Sequence, residues 1–333
     1  MTQRPNTVLA PARLEWRVAR VLEVRDETPR ARTLILDVPD WPGHRAGQHV
    51  DVRLVAEDGY EAQRSYSIAS APEDPNVALT VERLPNAEVS PYLCEVLQPG
   101  DGLEVRGPIG GWFVWEQSMG TPLFLVAGGS GIVPLMSMLR HYANVTPVSA
   151  AHPTPSSRTS EATEGPSPHA PLSSRGSGAT EGPAHHAPLS SRGSGATEGP
   201  ADHDVRGQPR APSLEGPSSP AAPRDDTPVT RVRLLYSART WDDIIYRDEL
   251  QRLAERPDID VVFTLTREAP AIWHGYRRRI DRAMLEEVGW PPAAAPRAYV
   301  CGPTLLVESV ASLLVEMGHD PARIRTERFG PTG

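Results

Sequence analysis

The run Leu123-Phe124-Leu125-Val126-Ala127 is apolar at every position, and Gly128-Gly129-Ser130-Gly131 follows it without a gap. A strand with no polar face has to be covered on both sides, as inside a parallel sheet flanked by helices. The glycines permit a tight exit, and Pro134 suits the start of a helix that reaches Tyr142. Strand, turn and helix in this order open a βαβ unit. The same texture resumes at Arg231. Strands are expected over Val232–Tyr236, Asp260–Thr266, Ala298–Cys301 and Ile324–Phe329, and helices over Asp242–Ala254, Ile280–Val288 and Pro303–Met317. Such alternation specifies a doubly wound parallel α/β domain. A glycine loop that opens a helix also lets backbone approach a pyrophosphate, where the helix start supplies amides and positive potential. A plain strand-to-helix turn would use the same glycines.

Upstream, from about residue 12 to 118, the pattern is different. Short alternating segments are separated by turn residues, and strands are expected over Glu15–Val24, Thr33–Val38, His49–Leu54, Gln63–Ile68, Ala78–Val81 and Gly102–Val105. This spacing suggests a small antiparallel β-barrel. One helical piece, Ser90 to Leu97, interrupts it, with Ser90 placed as N-cap and Pro91 at the first helical position. The chain therefore divides into an antiparallel barrel (12–118) and an α/β domain (119–333).

The second domain is interrupted over 145–230 by a segment of Pro, Ser, Gly, Ala, Thr and Glu. His169–Ala184 recurs identically as His186–Ala201, so a 17-residue unit repeats. With almost no large apolar residues, and only Leu172 and Leu189 within the repeats, the segment cannot bury enough surface to offset its ordering entropy, and a disordered insertion is expected. Its histidines, His169, His185 and His186, read as solvated rather than as metal ligands. The connection between the first helix and the second strand of the sheet is a surface site where added length costs little.

The formal charge of -8 argues against a general nucleic-acid binder, and all 34 basic residues are arginine. Cys94 and Cys301 form no metal-ligand spacing or disulfide framework, which fits a reducing cytoplasm. Met1 to Arg13 shows no leader pattern, and Leu123–Leu139 is broken by glycines and Pro134, so no membrane span is expected.

Arg64-Ser65-Tyr66-Ser67-Ile68-Ala69-Ser70 suits a flat anionic ligand held against a strand. Arg64 and Tyr66 share one face while Ser67 turns to the other. The guanidinium can fork onto phosphate and the ring can lie against another ring. On these residues alone an ordinary polar edge strand fits as well. The wider set of motifs decides more: Gly47-Gln48-His49-Val50, then Arg64-Ser65-Tyr66-Ser67, then Gly128-Gly129-Ser130-Gly131-Ile132-Val133-Pro134, then Tyr299-Val300-Cys301-Gly302-Pro303. In this order they resemble the ferredoxin–NADP⁺ reductase-like flavoproteins.

The resemblance implies FAD on the barrel and a nicotinamide dinucleotide on the α/β domain. Arg64 would hold the FAD pyrophosphate, Tyr66 would stack on the isoalloxazine, and Ser67 would lie near flavin N5. Val81 and Ser90 occupy the places of the family's next flavin-binding strand and helix. The family has glycine shortly before that serine, where this chain has Asn86-Ala87-Glu88, and Glu88 carries the same sign as the ligand. Gly128, Gly129, Ser130 and Gly131 would face the dinucleotide. Ser237, Arg239, Arg267 and Arg279 would clamp a 2′-phosphate, favouring NADPH over NADH. Asp242 and Asp243 read as first-turn helix acids. Cys301, Gly302 and Pro303 would form the nicotinamide-side turn, with Cys301 as packing rather than a nucleophile.

Phe329 would cover the flavin ring. Glu327 would handle protons or simply be solvated, the latter being the plainer reading. Trp112 and Phe113 are expected in the domain interface. No iron–sulfur cysteine run follows, so electrons would pass to a separate acceptor such as a ferredoxin or an oxygenase component. The alternatives are a two-electron reductase of quinones, free flavin or another small acceptor, and a non-catalytic nucleotide-sensing module.

Overall fold

The computed structural model describes residues 14–147 and 231–329. The 17-residue repeats and nearly all of the expected insertion lie outside the described residues, as do the first 13 and last four residues. Val145, where the insertion was expected to begin, is still the last residue of a helix.

Among the described residues eleven strands form two sheets. The first holds β1 (Trp16–Thr28), β2 (Ala31–Asp37), β3 (His49–Val55), β4 (Glu61–Ser67), β5 (Val77–Glu82) and β6 (Gly102–Ile109) in the order β4-β3-β6-β1-β2-β5. All its ladders are antiparallel. An antiparallel bridge from Ile68 to Leu79 joins its two edges. Ala19, Val21, Leu34, Leu36, Val50, Val52, Leu79, Val81, Leu103 and Val105 fill the interior. β1 runs four residues past its expected end. Asp26 opposes Arg32 there and accepts a hydrogen bond from its Nε at 2.6 Å, so cross-strand charge pairs carry a hairpin that hydrophobic alternation does not reveal.

The piece after β5 is a π-helical turn, Tyr92–Val96, whose N-cap is Pro91. Ser90 does not cap it: its hydroxyl accepts from the Leu84 amide at 3.0 Å, closing the loop before the turn instead.

The second sheet is parallel, with β7 (Leu123–Gly128), β8 (Val232–Ala238), β9 (Ile259–Leu265), β10 (Arg297–Pro303) and β11 (Ile324–Phe329) in the order β11-β10-β7-β8-β9. Its alternation shows why the strands read as continuously apolar. Leu123, Leu125 and Ala127 join one core with helix α1 (Ile132–Val145) and Leu250 of α2 (Arg247–Leu253). Phe124 and Val126 join another with α3 (Arg282–Val288) and α4 (Thr304–Glu316). Both faces are covered, as a doubly wound sheet requires. No helix of the described residues is long and apolar enough to cross a membrane.

Two helix starts differ from expectation. The segment expected as one helix over Asp242–Ala254 begins with a 3₁₀ turn at Trp241–Asp243 and becomes α-helical at Arg247. Between them Tyr246 takes φ +58°, which breaks a continuous helix. Asp242 and Asp243 are therefore not first-turn acids of α2; Asp243 accepts from Thr240 Oγ1 at 2.9 Å. In α3 the start shifts to Arg282 because Asp281 caps it, its carboxylate accepting from the Met284 amide at 2.9 Å.

The two sheets meet in one hydrophobic cluster. Ala31 and Ala78 of the first, with Ala46, Ala69, Phe113 and Trp115 from the segments beside its strands, pack with α1, Tyr299 and Cys301 of the second. Phe113 meets Tyr299 edge-on at 5.4 Å, and the Tyr299 hydroxyl donates to the Val114 carbonyl at 2.7 Å. Arg140 forks onto Glu249 at 2.6 and 2.8 Å and also donates to the Ala69 carbonyl. Tyr246 donates to Thr80 across the same boundary. Trp112, expected in this interface, is 60% exposed and rests on the Arg325 guanidinium 4.3 Å from its ring centre, while Phe113 is buried as expected.

Candidate active site

β4 delivers Arg64, Tyr66 and Ser67 in strand alternation. Arg64 is half exposed, Tyr66 packs against the barrel core, and Ser67 is 4% exposed. Burial pushes the Tyr66 phenol well up, so it stays protonated. Ser67 Oγ is buried without a hydrogen-bond partner. A buried hydroxyl left unpaired costs about 1–3 kcal/mol, so its persistence fits a polar group of a ligand. Across β3, Ser67 opposes His49, whose imidazole burial holds below its usual range.

Arg64 is engaged by the loop that follows β5. Its guanidinium meets the Glu88 carboxylate at 3.1 Å, and Tyr60 donates to the other oxygen of Glu88 at 2.8 Å. Val81 lies buried in β5, and Ser90, also buried, is committed to the Leu84 amide.

On the parallel sheet, Gly128, Gly129, Ser130 and Gly131 lead from β7 into α1, and Cys301, Gly302 and Pro303 end β10 beside them. The two turns touch backbone to backbone. A Cβ on Gly131 would collide with the Cys301 carbonyl and lie 2.7 Å from the Gly302 amide nitrogen. Gly302, at φ +154°, would place a Cβ 3.0 Å from the Gly128 carbonyl oxygen. Glycine at these two positions is a packing requirement, and it leaves the turn flat for a dinucleotide. Glu82 of β5 also reaches this loop, with Oε2 3.9 Å from where a Gly129 Cβ would be. Arg30, in the β1–β2 turn, lies 3.8 Å from Glu82 and 3.3 Å from Asp243. The sequence carries no signal for this junction, because its members are up to 213 residues apart.

Cys301 pairs in register with Glu327 of β11. Cys301 is fully buried, and burial together with the nearby Glu327 raises its thiol well above the usual range. It is therefore a buried, protonated thiol. Glu327 corrects the expectation of a solvated acid. Its Oε2 is buried without a hydrogen-bond partner, and burial pushes the carboxyl up to about 7. Phe329, at the end of β11, packs against the shared core cluster.

Ser237 pairs with Gly128 across β7 and β8 and is buried. Arg239, Arg267 and Arg279 are exposed; Arg239 directly follows β8 and Arg267 lies two residues past β9, at the C-terminal edge of the sheet. The Arg267 amide donates to the Arg239 carbonyl at 2.9 Å, so the two are neighbours. Tyr276 makes a parallel bridge to Thr264, and Arg279 follows Tyr276 by as many residues as Arg267 follows Thr264. The Thr264 hydroxyl also donates to the Arg278 carbonyl, so the segment that carries Arg279 lies beside β9. Nearby Arg278 is held by Asp281 at 2.7 Å, whereas among the described residues no ion pair engages Arg239, Arg267 or Arg279. Ligands of open α/β sheets bind at this edge.

The residues present fit FAD and a nicotinamide dinucleotide. Arg64, Tyr66 and Ser67, whose hydroxyl is buried without a partner, would hold the flavin, and the flat glycine turns with Arg239, Arg267 and Arg279, which make no ion pair among the described residues, would hold the dinucleotide. Comparison with known proteins agrees. Residues 21–114 match the oxidoreductase FAD-binding domain and residues 220–312 the oxidoreductase NAD-binding domain. The chain is 28% identical over 320 residues to ferredoxin–NADP reductase B of Sorangium cellulosum, covering 93% of this chain and 96% of that protein. It is 27% identical over 319 residues to the glycine betaine monooxygenase reductase subunit of Chromohalobacter salexigens, covering 94% of this chain but only 64% of the relative's length. The fold superposes on a ferredoxin NADP⁺ reductase from Neisseria gonorrhoeae with a TM-score of 0.58 at 18% identity, covering 95% and 99% of the two chains. With both domain models matched and both sheets in place, the chain belongs to the ferredoxin–NADP⁺ reductase-like flavoproteins, with the FAD-binding and NAD-binding domains of that family.

Proposed function

We propose that the protein takes hydride from NADPH in preference to NADH and passes electrons to a separate acceptor protein, a ferredoxin or the terminal component of an oxygenase. The cytoplasm is its site of action. In this reading residues 12–118 bind FAD and 119–333 bind the dinucleotide, with 145–230 as an insertion. The observation that carries it is the pair of buried oxygens without hydrogen-bond partners among the described residues, Ser67 Oγ at the end of β4 and Glu327 Oε2 in β11.

Bound FAD supplies the exchange between two-electron and one-electron chemistry, and the chain supplies position and electrostatics. Arg64 binds pyrophosphate. Tyr66, kept neutral by burial, offers its ring as a face. Ser67 offers a hydroxyl that no protein group uses. The Gly131–Cys301 contact sets the depth of the nicotinamide turn, and buried Cys301 excludes water there. Glu327 holds or releases a proton near neutral pH at Oε2. Arg239, Arg267 and Arg279, which make no ion pair among the described residues, offer positive charge for a 2′-phosphate. Several relatives are reductase components of oxygenases, which supports the choice of acceptor.

Anaerobic titration of the flavin absorbance tests this. Bleaching at much lower NADPH than NADH is the expected result. Equal bleaching by NADH would remove the arginine clamp and leave the reductase, and no bound flavin after incubation with FAD would break the reading at Arg64–Ser67. Turnover with ferredoxin but not with quinones or free flavin separates the protein acceptor from small ones.

A further inference from the structure

The only ionic partner of Arg64 among the described residues is an acid from the chain itself, and that acid is built in rather than incidental. Glu88 reaches Arg64 at 3.1 Å through one oxygen, while its other oxygen accepts from Tyr60 at 2.8 Å. The Tyr60 amide is in turn held by Asp58 at 3.0 Å. Both members of the ion pair are about half exposed, 53% for Arg64 and 50% for Glu88, so the pair is within reach of a ligand from solvent. An exposed pair of this kind is weak and separable.

We infer that Glu88 is a built-in competitor for Arg64 that lowers the affinity of this protein for FAD, making the flavin exchangeable. This rests on the reading of Arg64 as the pyrophosphate ligand. A pyrophosphate that takes the Arg64 fork must break the contact with Glu88 and leave a carboxylate, still tethered by Tyr60, beside its own negative charge. Both effects oppose binding, and neither alters the fold, because the loop is closed independently by Ser90 and the Leu84 amide. Glu88→Gln removes the charge and keeps a carbonyl oxygen for the Tyr60 hydroxyl.

The test is the dissociation constant for FAD of the full chain, measured by equilibrium dialysis with free flavin read by absorbance, in three forms. Arg64→Ala should raise Kd by tenfold or more. Glu88→Gln should lower it by about three- to tenfold, the size expected of one partly screened charge contact. Arg64→Ala combined with Glu88→Gln should gain less over Arg64→Ala than Glu88→Gln gains over the parent, because only the direct charge repulsion is left to relieve once the arginine is gone. Thermal melting of the flavin-free forms should coincide with the parent, since both side chains are half exposed. If Arg64→Ala weakens binding and Glu88→Gln leaves Kd unchanged or raises it, the competitor role is refuted while the pyrophosphate role of Arg64 stands. If Arg64→Ala leaves Kd unchanged, the reading of Arg64 fails and the competitor role falls with it.

Discussion

Replacing Glu327 by glutamine should make stability less sensitive to rising pH. The wild-type carboxyl sits where ionisation is unfavourable, and its value moves from 4.5 when solvated to about 7 in the folded chain. The sign follows from linkage. A carboxyl raised on folding favours the protonated native state, so its contribution is complete below about pH 4.5 and is lost as pH climbs through about 7. At 1.36 kcal/mol per pH unit, that interval corresponds to about 3 kcal/mol of stability lost between acid and mildly alkaline conditions. For a chain of this size the loss equals a Tm change of about 6 °C. Glutamine has no charge to desolvate, so its melting temperature should not show this fall. The assay is thermal melting of flavin-free protein, wild type and Glu327→Gln, from pH 5 to pH 8.5. The gap between the two should move in favour of the variant by about 6 °C across that range. Parallel curves would refute the reasoning, because they would mean that the Glu327 carboxylate is hydrated when it ionises.

Other consequences follow from the same geometry. Glu327→Gln should also flatten any inflection near pH 7 in the rate of flavin reduction, measured by stopped-flow absorbance. Gly131→Ala forces a methyl group into the Cys301 carbonyl, so a loss of about 2 kcal/mol or more is expected in urea unfolding, with weakened NADPH binding. The double change Arg239→Ala and Arg267→Ala should raise KM for NADPH at least tenfold and leave KM for NADH within about twofold, read by steady-state kinetics with an artificial acceptor. Tyr246→Phe removes the hydroxyl that reaches Thr80 across the two sheets, which should cost about 1 kcal/mol and lower Tm by about 2 °C.

The sequence shows where local physics has a single solution. Leu123–Ala127 had to be a strand covered on both faces, because no position in it tolerates water, and the structure puts alternate residues into two separate cores. The last strand, Ile324–Phe329, ends where expected. The order of the glycine, Arg-x-Tyr-Ser and Cys-Gly-Pro motifs was enough to indicate the family and to nominate strand ends as its candidate site. Local pattern failed where a distant partner decides. β1 continues to Thr28 because Arg32 answers Asp26 across the hairpin, and Ser90 turns from the helix to the Leu84 amide. Trp112 read as core but is held at the surface by Arg325, 213 positions away.

What the chain determined by itself is therefore the class of each domain, through hydrophobic periodicity, and the identity of the turns that need glycine, through backbone sterics. Tertiary structure alone decided the charges. Whether Glu327 is solvated or raised, whether Arg64 is free or held by Glu88, and whether Arg239, Arg267 and Arg279 stay unpaired all depend on what packs nearby. An electrostatic environment is a sum over neighbours in space, and neighbours in space are what a one-dimensional pattern omits.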